Sequence, residues 1–203
     1  MIELKNFTFR YANGHRSALE NLNLTVEDGD FVGVIGNSGA GKTTLFRILL
    51  DLLHADTGTC TIHGPQPDGT YASYDTARSE DWKRHTGAFV DTGFLIDYLT
   101  PEEYFSFLAK VNGISPSVMN ERLKQFDGFM NGEVTGRNVL IRNLSMGNQQ
   151  KVGIIGAMLS HPRLLILDEP FNFLDPSSQM AMKYLLESYN KDTGATKIGR
   201  AHV

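Results

Sequence analysis

The sequence predicts an α/β fold: a mostly parallel sheet, an antiparallel β part at the N-terminus, and an inserted helical segment. Three observations predict it. Two short apolar runs, Phe31–Ile35 and Leu164–Leu167, read as strands buried on both faces, as in parallel sheets. Ahead of the first run, apolar residues alternate with polar ones, as in half-buried antiparallel strands. Between the two runs, residues 92–142 carry helical spacing and a helix start signal.

The composition narrows the class. The 203 residues are 41% hydrophobic and 21% charged, which excludes a disordered or collagen-like chain. A pI near 5.8 gives no basic footprint, so nucleic acid is not an expected partner. Cys60 is the single cysteine, so no internal disulfide framework can form, and a reducing compartment fits. Met1–Lys5 shows no basic-then-apolar leader. No apolar run approaches the roughly 18 residues of a membrane span. Any membrane role is therefore expected to come through a partner.

Ile2, Leu4, Phe7 and Phe9 nearly alternate and predict a first strand. Leu22, Leu24 and Val26 predict a second. Asp28-Gly29-Asp30 is a turn signal. After Phe31–Ile35 comes a glycine-rich loop, Gly36 to Gly41. A helix is expected over Thr43–Leu53, with Leu45, Ile48, Leu49, Leu52 and Leu53 on one face. Thr59–His63 reads as a short strand, and residues 64–80 as a loop. Thr100-Pro101-Glu102-Glu103 has an N-cap threonine, a proline in the first turn and a capping-box glutamate. Val118–Phe129 reads as the next helix. Ser145 is expected to cap a helix that His161-Pro162 ends near Ser160. Met180–Tyr189 reads as the last helix.

Three motifs carry chemistry. Gly36-Asn37-Ser38-Gly39-Ala40-Gly41-Lys42-Thr43 matches the phosphate-binding P-loop pattern. Its glycines let backbone N–H groups converge on phosphate oxygens, and the following helix adds its positive end. Lys42 reaches the β- and γ-phosphates, and Thr43 supplies a hydroxyl for Mg²⁺. Leu164–Leu167 delivers Asp168 and Glu169 to the C-terminal end of a buried strand, where α/β sheets bind ligands. Asp168 suits Mg²⁺, and Glu169 suits the attacking water. Leu144-Ser145-Met146-Gly147-Asn148-Gln149-Gln150-Lys151 puts a serine and a glycine at a helix N-terminus, a further anion site.

With the three in this order, the chain resembles the ATP-binding cassette (ABC) ATPase family from about Met1 to Thr196. The resemblance implies a P-loop NTPase core over 1–91 and 143–203, with a helical subdomain at 92–142. Gly36–Thr43 is similar to the family's Walker A loop, with Thr44 beside it. Leu164–Glu169 looks like Walker B with its catalytic glutamate, and Leu144–Lys151 like the LSGGQ signature. Asp175 matches the D-loop, and Tyr11 the aromatic that stacks on adenine. ATP and Mg²⁺ are the implied cofactors. Two cassettes pair head to tail in this family, so Ser145, Gly147 and Gln150 are expected to act in trans. The second subunit is left open as identical or different. A transmembrane permease is the implied further partner, with the chain peripheral on the cytoplasmic face of the membrane.

Several positions depart from the family pattern. Met146 and Asn148 stand where glycine and glutamine are commoner. Asp91 occupies the Q-loop position and is expected to serve as a catalytic or Mg²⁺ ligand. Asp91–Leu95 and Tyr98–Tyr104 look most like cassettes of ABC-2-type exporters. Ile198–Val203 is what the codons ATC GGA AGA GCA CAC GTC encode, a common sequencing-adapter string. The expectation is that the genuine gene fragment breaks off near Thr196, short of the native C-terminus and its switch histidine, and that the tail is adapter read-through; residues 197–203 then form no core strand, and His202 only coincides with the switch-histidine position. Such a truncated chain is expected to be weak or inactive as an ATPase. His15, His54, His63, His85 and His161 show no metal-ligand spacing with one another or with Cys60. The alternative function is a soluble ABC ATPase of the translation-factor type, with no transporter.

Overall fold

A computed structural model describes residues 2–12, 16–66 and 70–200, together with all side chains in these ranges except those of Pro65 and Arg200. Two four-stranded sheets organise them. Strands β1 (Ile2–Phe9), β2 (Leu19–Val26), β4 (Thr57–Pro65) and β5 (Tyr71–Asp75) form an antiparallel sheet in the order β2-β1-β4-β5. Strands β3 (Phe31–Val34), β6 (Thr86–Phe89), β7 (Leu164–Leu167) and β8 (Thr196–Arg200) form a parallel sheet in the order β3-β8-β7-β6. The imperfect alternation of β1 has a local cause. Asn6 sits at φ +49°, and the register with β2 shifts between Leu4 and Phe7, so both apolar residues stay buried.

Six helices complete the described chain. They are α1 (Lys42–Leu49), α2 (Pro101–Val111), α3 (Pro116–Lys124), α4 (Asp127–Met130), α5 (Met146–Met158) and α6 (Pro176–Thr193). Among the described residues, no helix is long and apolar enough to cross a membrane. Strand β7 divides the core. Leu164 and Ile166 join Phe46, Ile48 and Leu49 of α1 and the inner face of the antiparallel sheet. Leu165 and Leu167 join α5, α6 and the helical segment. Helix α2 begins as expected: the Thr100 hydroxyl accepts from the Glu103 N–H, and Glu103 Oε2 accepts from the Thr100 N–H.

Several sequence expectations are corrected. Helix α1 stops at Leu49, and Asp51 turns left-handed at φ +55°. The loop expected at 64–80 contains β5, which pairs with β4 from Thr61–Asp75 to Pro65–Tyr71. Val118–Phe129 is two helices, and the break buries both Phe126 and Phe129. Helix α6 starts at Pro176, where Asp175 and the proline are a stronger start signal than the apolar spacing from Met180. Strand β3 is not buried on both faces, because it lies at the sheet edge; Phe31 is 61% exposed.

The largest correction is β8. Residues 196–200 do form a strand, inserted between β3 and β7 and bonded to both. Ile198 is buried, and Lys197 is tolerated because its ammonium donates to the Leu186 carbonyl and lies over the Phe31 ring at 4.8 Å. Residues 201–203, and with them His202, lie outside the described residues, as does His15.

Candidate active site

The parallel sheet brings its loops together at the C-terminal ends of β3 and β7. Leaving β3, the chain turns through the glycine loop into α1. Gly41 occupies the N-cap at φ +87°, and a Cβ there would meet the Ala18 carbonyl oxygen at 2.5 Å. Only glycine fits both constraints. Gly39 also takes a positive φ, while Gly36, Asn37, Ser38 and Ala40 stand exposed on the loop. Lys42 is buried, yet its ammonium faces the loop: it donates to the Gly36 carbonyl and, at 2.6 Å, to the Asn37 carbonyl. An ammonium at a helix N-terminus suits an anion, which would take the place of these two carbonyls as its partner.

Strand β7 supplies the acidic side. Asp168 is buried, and its Oδ2 accepts from the Thr43 hydroxyl at 2.8 Å. The two oxygen ligands expected for Mg²⁺ therefore meet across the junction of α1 and β7. A hydroxyl and a carboxylate are hard oxygen donors, so this pair fits a magnesium ion. Glu169 follows at φ +48°, a backbone state that turns its side chain away from the strand direction. Tyr11 closes another edge: its hydroxyl lies 2.9 Å from Thr44 Oγ1, and its ring meets Phe9 edge-on at 4.9 Å. Tyr11, Lys42, Thr43, Thr44, Asp168 and Glu169 thus share one region.

The signature segment packs against the chain just beyond β7. Ser145 caps α5 by accepting from the Asn148 N–H, and both Ser145 and Met146 are exposed. Gly147 is required there, since a Cβ would sit 2.7 Å from the Phe173 carbonyl oxygen. Further along, Gly153 lets α5 seat against the Phe89 ring of β6. Asp175 accepts from the Ser177 and Ser178 hydroxyls and from both backbone N–H groups. These donors, the Ser177 hydroxyl first, hold its carboxyl well below the usual carboxylate range.

Two further expected site residues make contacts within the chain that their motifs do not reveal. Gln150 is buried, and its Nε2 donates at 2.9 Å to the Glu169 carbonyl of the same chain. Within the single chain its amide faces inward, and its expected role on a partner's nucleotide stays a proposal. Asp91 is exposed and its Oδ1 accepts from the Gly93 N–H at 2.6 Å, capping the short turn Thr92–Phe94. It lies two residues beyond β6, whose Phe89 carbonyl accepts from the Asp168 N–H. Sequence reasoning missed Asn172, whose Nδ2 donates to the Glu169 carboxylate.

Comparison with known proteins agrees with this geometry. The family model for ABC transporter matches residues 19–172. The chain is 30% identical over its whole length to the spermidine/putrescine import ATP-binding protein PotA of Pseudomonas aeruginosa, of which it covers 52%. It is 30% identical over 94% of its length to the bacitracin transport ATP-binding protein BcrA of Bacillus licheniformis, covering 58% of that protein. The chain thus spans about half the length of these curated relatives. The dimeric structure of MJ0796, a bacterial ABC transporter cassette, superposes over the whole chain and 88% of its own, with TM-score 0.81 and 27% identity. A glycine loop, an acidic strand end and a capped signature helix in one fold, together with a family model that spans them, mean that this chain belongs to the ABC transporter family.

Proposed function

We propose that the chain binds and hydrolyses ATP to drive a membrane transporter. One observation carries the reading: the Thr43 hydroxyl meets the buried Asp168 carboxylate, with Lys42 preceding the one and Glu169 following the other in the chain. Lys42 neutralises charge on the β- and γ-phosphates. Thr43 and Asp168 hold Mg²⁺, which when bound offsets the charge that develops on the phosphates. The Glu169 carboxylate orients a water molecule for in-line attack on the γ-phosphorus. Tyr11 offers its ring to the adenine. Asp91 serves, in this proposal, as a further ligand to Mg²⁺ or to its water.

Hydrolysis on this reading needs a second subunit. The exposed Ser145 and the half-buried Gly147 close over the nucleotide of a partner cassette, and the dimeric MJ0796 structure supports the pairing of two cassettes. The helical segment 92–142 meets a transmembrane permease at the cytoplasmic face. Phe94 and Tyr98 are 57% and 65% exposed. Phe94 also borders a cleft of about 340 Å³ walled by Leu52, Phe89 and Leu95. The finer proposal is an ABC-2-type exporter, resting on the phrase Asp91–Leu95 and on Asp168–Pro176. The named relatives are transport subunits, which favours this reading over a soluble translation-type ATPase. The test measures ATP binding and hydrolysis by the chain and its Glu169→Gln variant. Binding in both, with hydrolysis cut to a small residual rate in the variant, is expected; no ATP binding by either sinks the reading. Loss of transport on replacing Phe94 and Tyr98 by alanine is the matching expectation for the permease contact.

A further inference from the structure

We infer that Asn172 is a positioning residue that sets the direction of the Glu169 carboxylate. The inference rests on the ATPase reading above and deepens it. Glu169 leaves β7 at φ +48°, a state that a side chain of its kind holds only when neighbours impose it. Two donors reach its carbonyl oxygen. The Asn172 N–H bonds it at 3.0 Å and closes a tight turn over residues 169–172. The buried Gln150 amide bonds it at 2.9 Å and ties the turn to the signature helix.

The turn brings the Asn172 side chain back onto Glu169, where its Nδ2 donates to Oε2. The far side of the segment is equally anchored. Gln179 donates to the Leu174 carbonyl at 3.1 Å, and Asp175 caps α6. Asn172 thus stands on a loop fixed at both ends. A neutral amide is suited to the task. It fixes the orientation of a carboxylate but leaves its negative charge intact, whereas a lysine would neutralise the charge needed to polarise water. Glutamate has a long, freely rotating side chain, so one held direction is worth a rate factor.

The experiment compares the 203-residue chain with Asn172→Ala, Asn172→Asp, Glu169→Gln and the Asn172→Ala/Glu169→Gln double variant in steady-state ATP hydrolysis. Asn172→Ala is expected to lower kcat about tenfold, with KM for ATP within about twofold. On the Glu169→Gln background, Asn172→Ala is expected to add no further loss, because it acts through the carboxylate. Asn172→Asp keeps size and turn but replaces the donor with a second carboxylate. Its rate is expected to fall at neutral pH, because the introduced carboxylate repels that of Glu169 instead of holding it. An unchanged kcat in Asn172→Ala, multiplying losses in the double variant, or a fully active Asn172→Asp at neutral pH each overturns the proposal. A readout without turnover guards against misfolding: the Asn172 side-chain amide protons in a ¹H–¹⁵N spectrum should move in Glu169→Ala while other asparagine side chains stay, and no movement overturns the contact. If the unaltered chain hydrolyses nothing, the ATPase reading fails and this proposal falls with it. If Glu169→Gln stops an existing activity, only the Asn172 results bear on the proposal.

Discussion

The glycine loop and the signature helix are both serine- or glycine-bearing helix starts, yet the fold treats them in opposite ways. The loop is closed on its own chain. Lys42 bonds two loop carbonyls, Thr43 bonds Asp168, and Thr44 bonds Tyr11. The signature is open. Ser145 spends its hydroxyl on its own cap, Met146 is 44% exposed, and the neighbouring Phe173 is 63% exposed. A site whose donors converge within the chain can bind a ligand alone. A helix start with an outward apolar rim leaves a surface open to contact. In the proposed reading the loop serves this chain's own nucleotide, and the signature serves a neighbour's.

The sharpest way to break this comparison is Lys42→Ala against Ser145→Ala. Removing the buried ammonium is expected to weaken ATP binding by about a hundredfold, as lost charge-assisted hydrogen bonds do. Ser145→Ala should leave binding by the isolated chain within about twofold and reduce hydrolysis instead. Calorimetric titration with ATP checks both, and equal losses would erase the distinction. Next in size is Gly147→Val. Its side chain would press on the Phe173 carbonyl, where a Cβ already lies at 2.7 Å. Hydrolysis should drop about tenfold or more, and stability by about 1–3 kcal/mol as in other overpacked sites, with ATP binding kept.

Tyr11→Ala tests the adenine edge of the loop. A loss of about fivefold in ATP affinity is expected from one aromatic contact, and Tyr11→Phe, which forfeits only the Thr44 bond, should recover most of it. The smallest effect concerns support for the loop from β8. Burial lowers the Lys197 pKa from 10.5 to about 8, opposed by Glu187. Below pH 8 the lysine is charged in both folded and unfolded chains, and the desolvation cost is full. Between 8 and 10.5 the unfolded chain holds the proton that the folded chain has released, so stability rises with pH. Above pH 9 the Cys60 thiol, which burial raises from 9.0 to about 11, works the other way. A rise in melting temperature between pH 7 and 9 is therefore expected. Lys197→Met should abolish that rise and lift the pH 7 midpoint by about 3 °C, with ATP affinity unchanged. A pH-independent midpoint in the unaltered chain would show that Lys197 is solvated.

Local chemistry made some regions readable and hid others. Thr100-Pro101-Glu102-Glu103 encodes a helix start by contacts within four residues, and the structure realises each of them. Strand β5 was hidden because Gly, Pro and Ser crowd its surroundings, while pairing with β4 overrides that bias. Strand β8 was hidden for a related reason. Glycine and two cations make a poor strand alone, but a slot between β3 and β7 satisfies its backbone on both sides. The Gln150 contact was hidden because the motif tells the residue type and not which neighbour its amide meets; within the chain that amide bonds the Glu169 carbonyl.

The sequence by itself determined the glycine loop, the acidic strand end, the capped helices and hence the family, because each depends on neighbours a few residues apart. Tertiary structure alone decided which side chains meet. Thr43 and Asp168 are brought together across the sheet, Tyr11 is carried to Thr44 of α1 from just beyond β1, and Gly147 is pressed against Phe173. Spacing along a chain fixes periodicity and backbone freedom, whereas contacts over a hundred residues apart follow from strand order, and strand order is settled only when the two cores close.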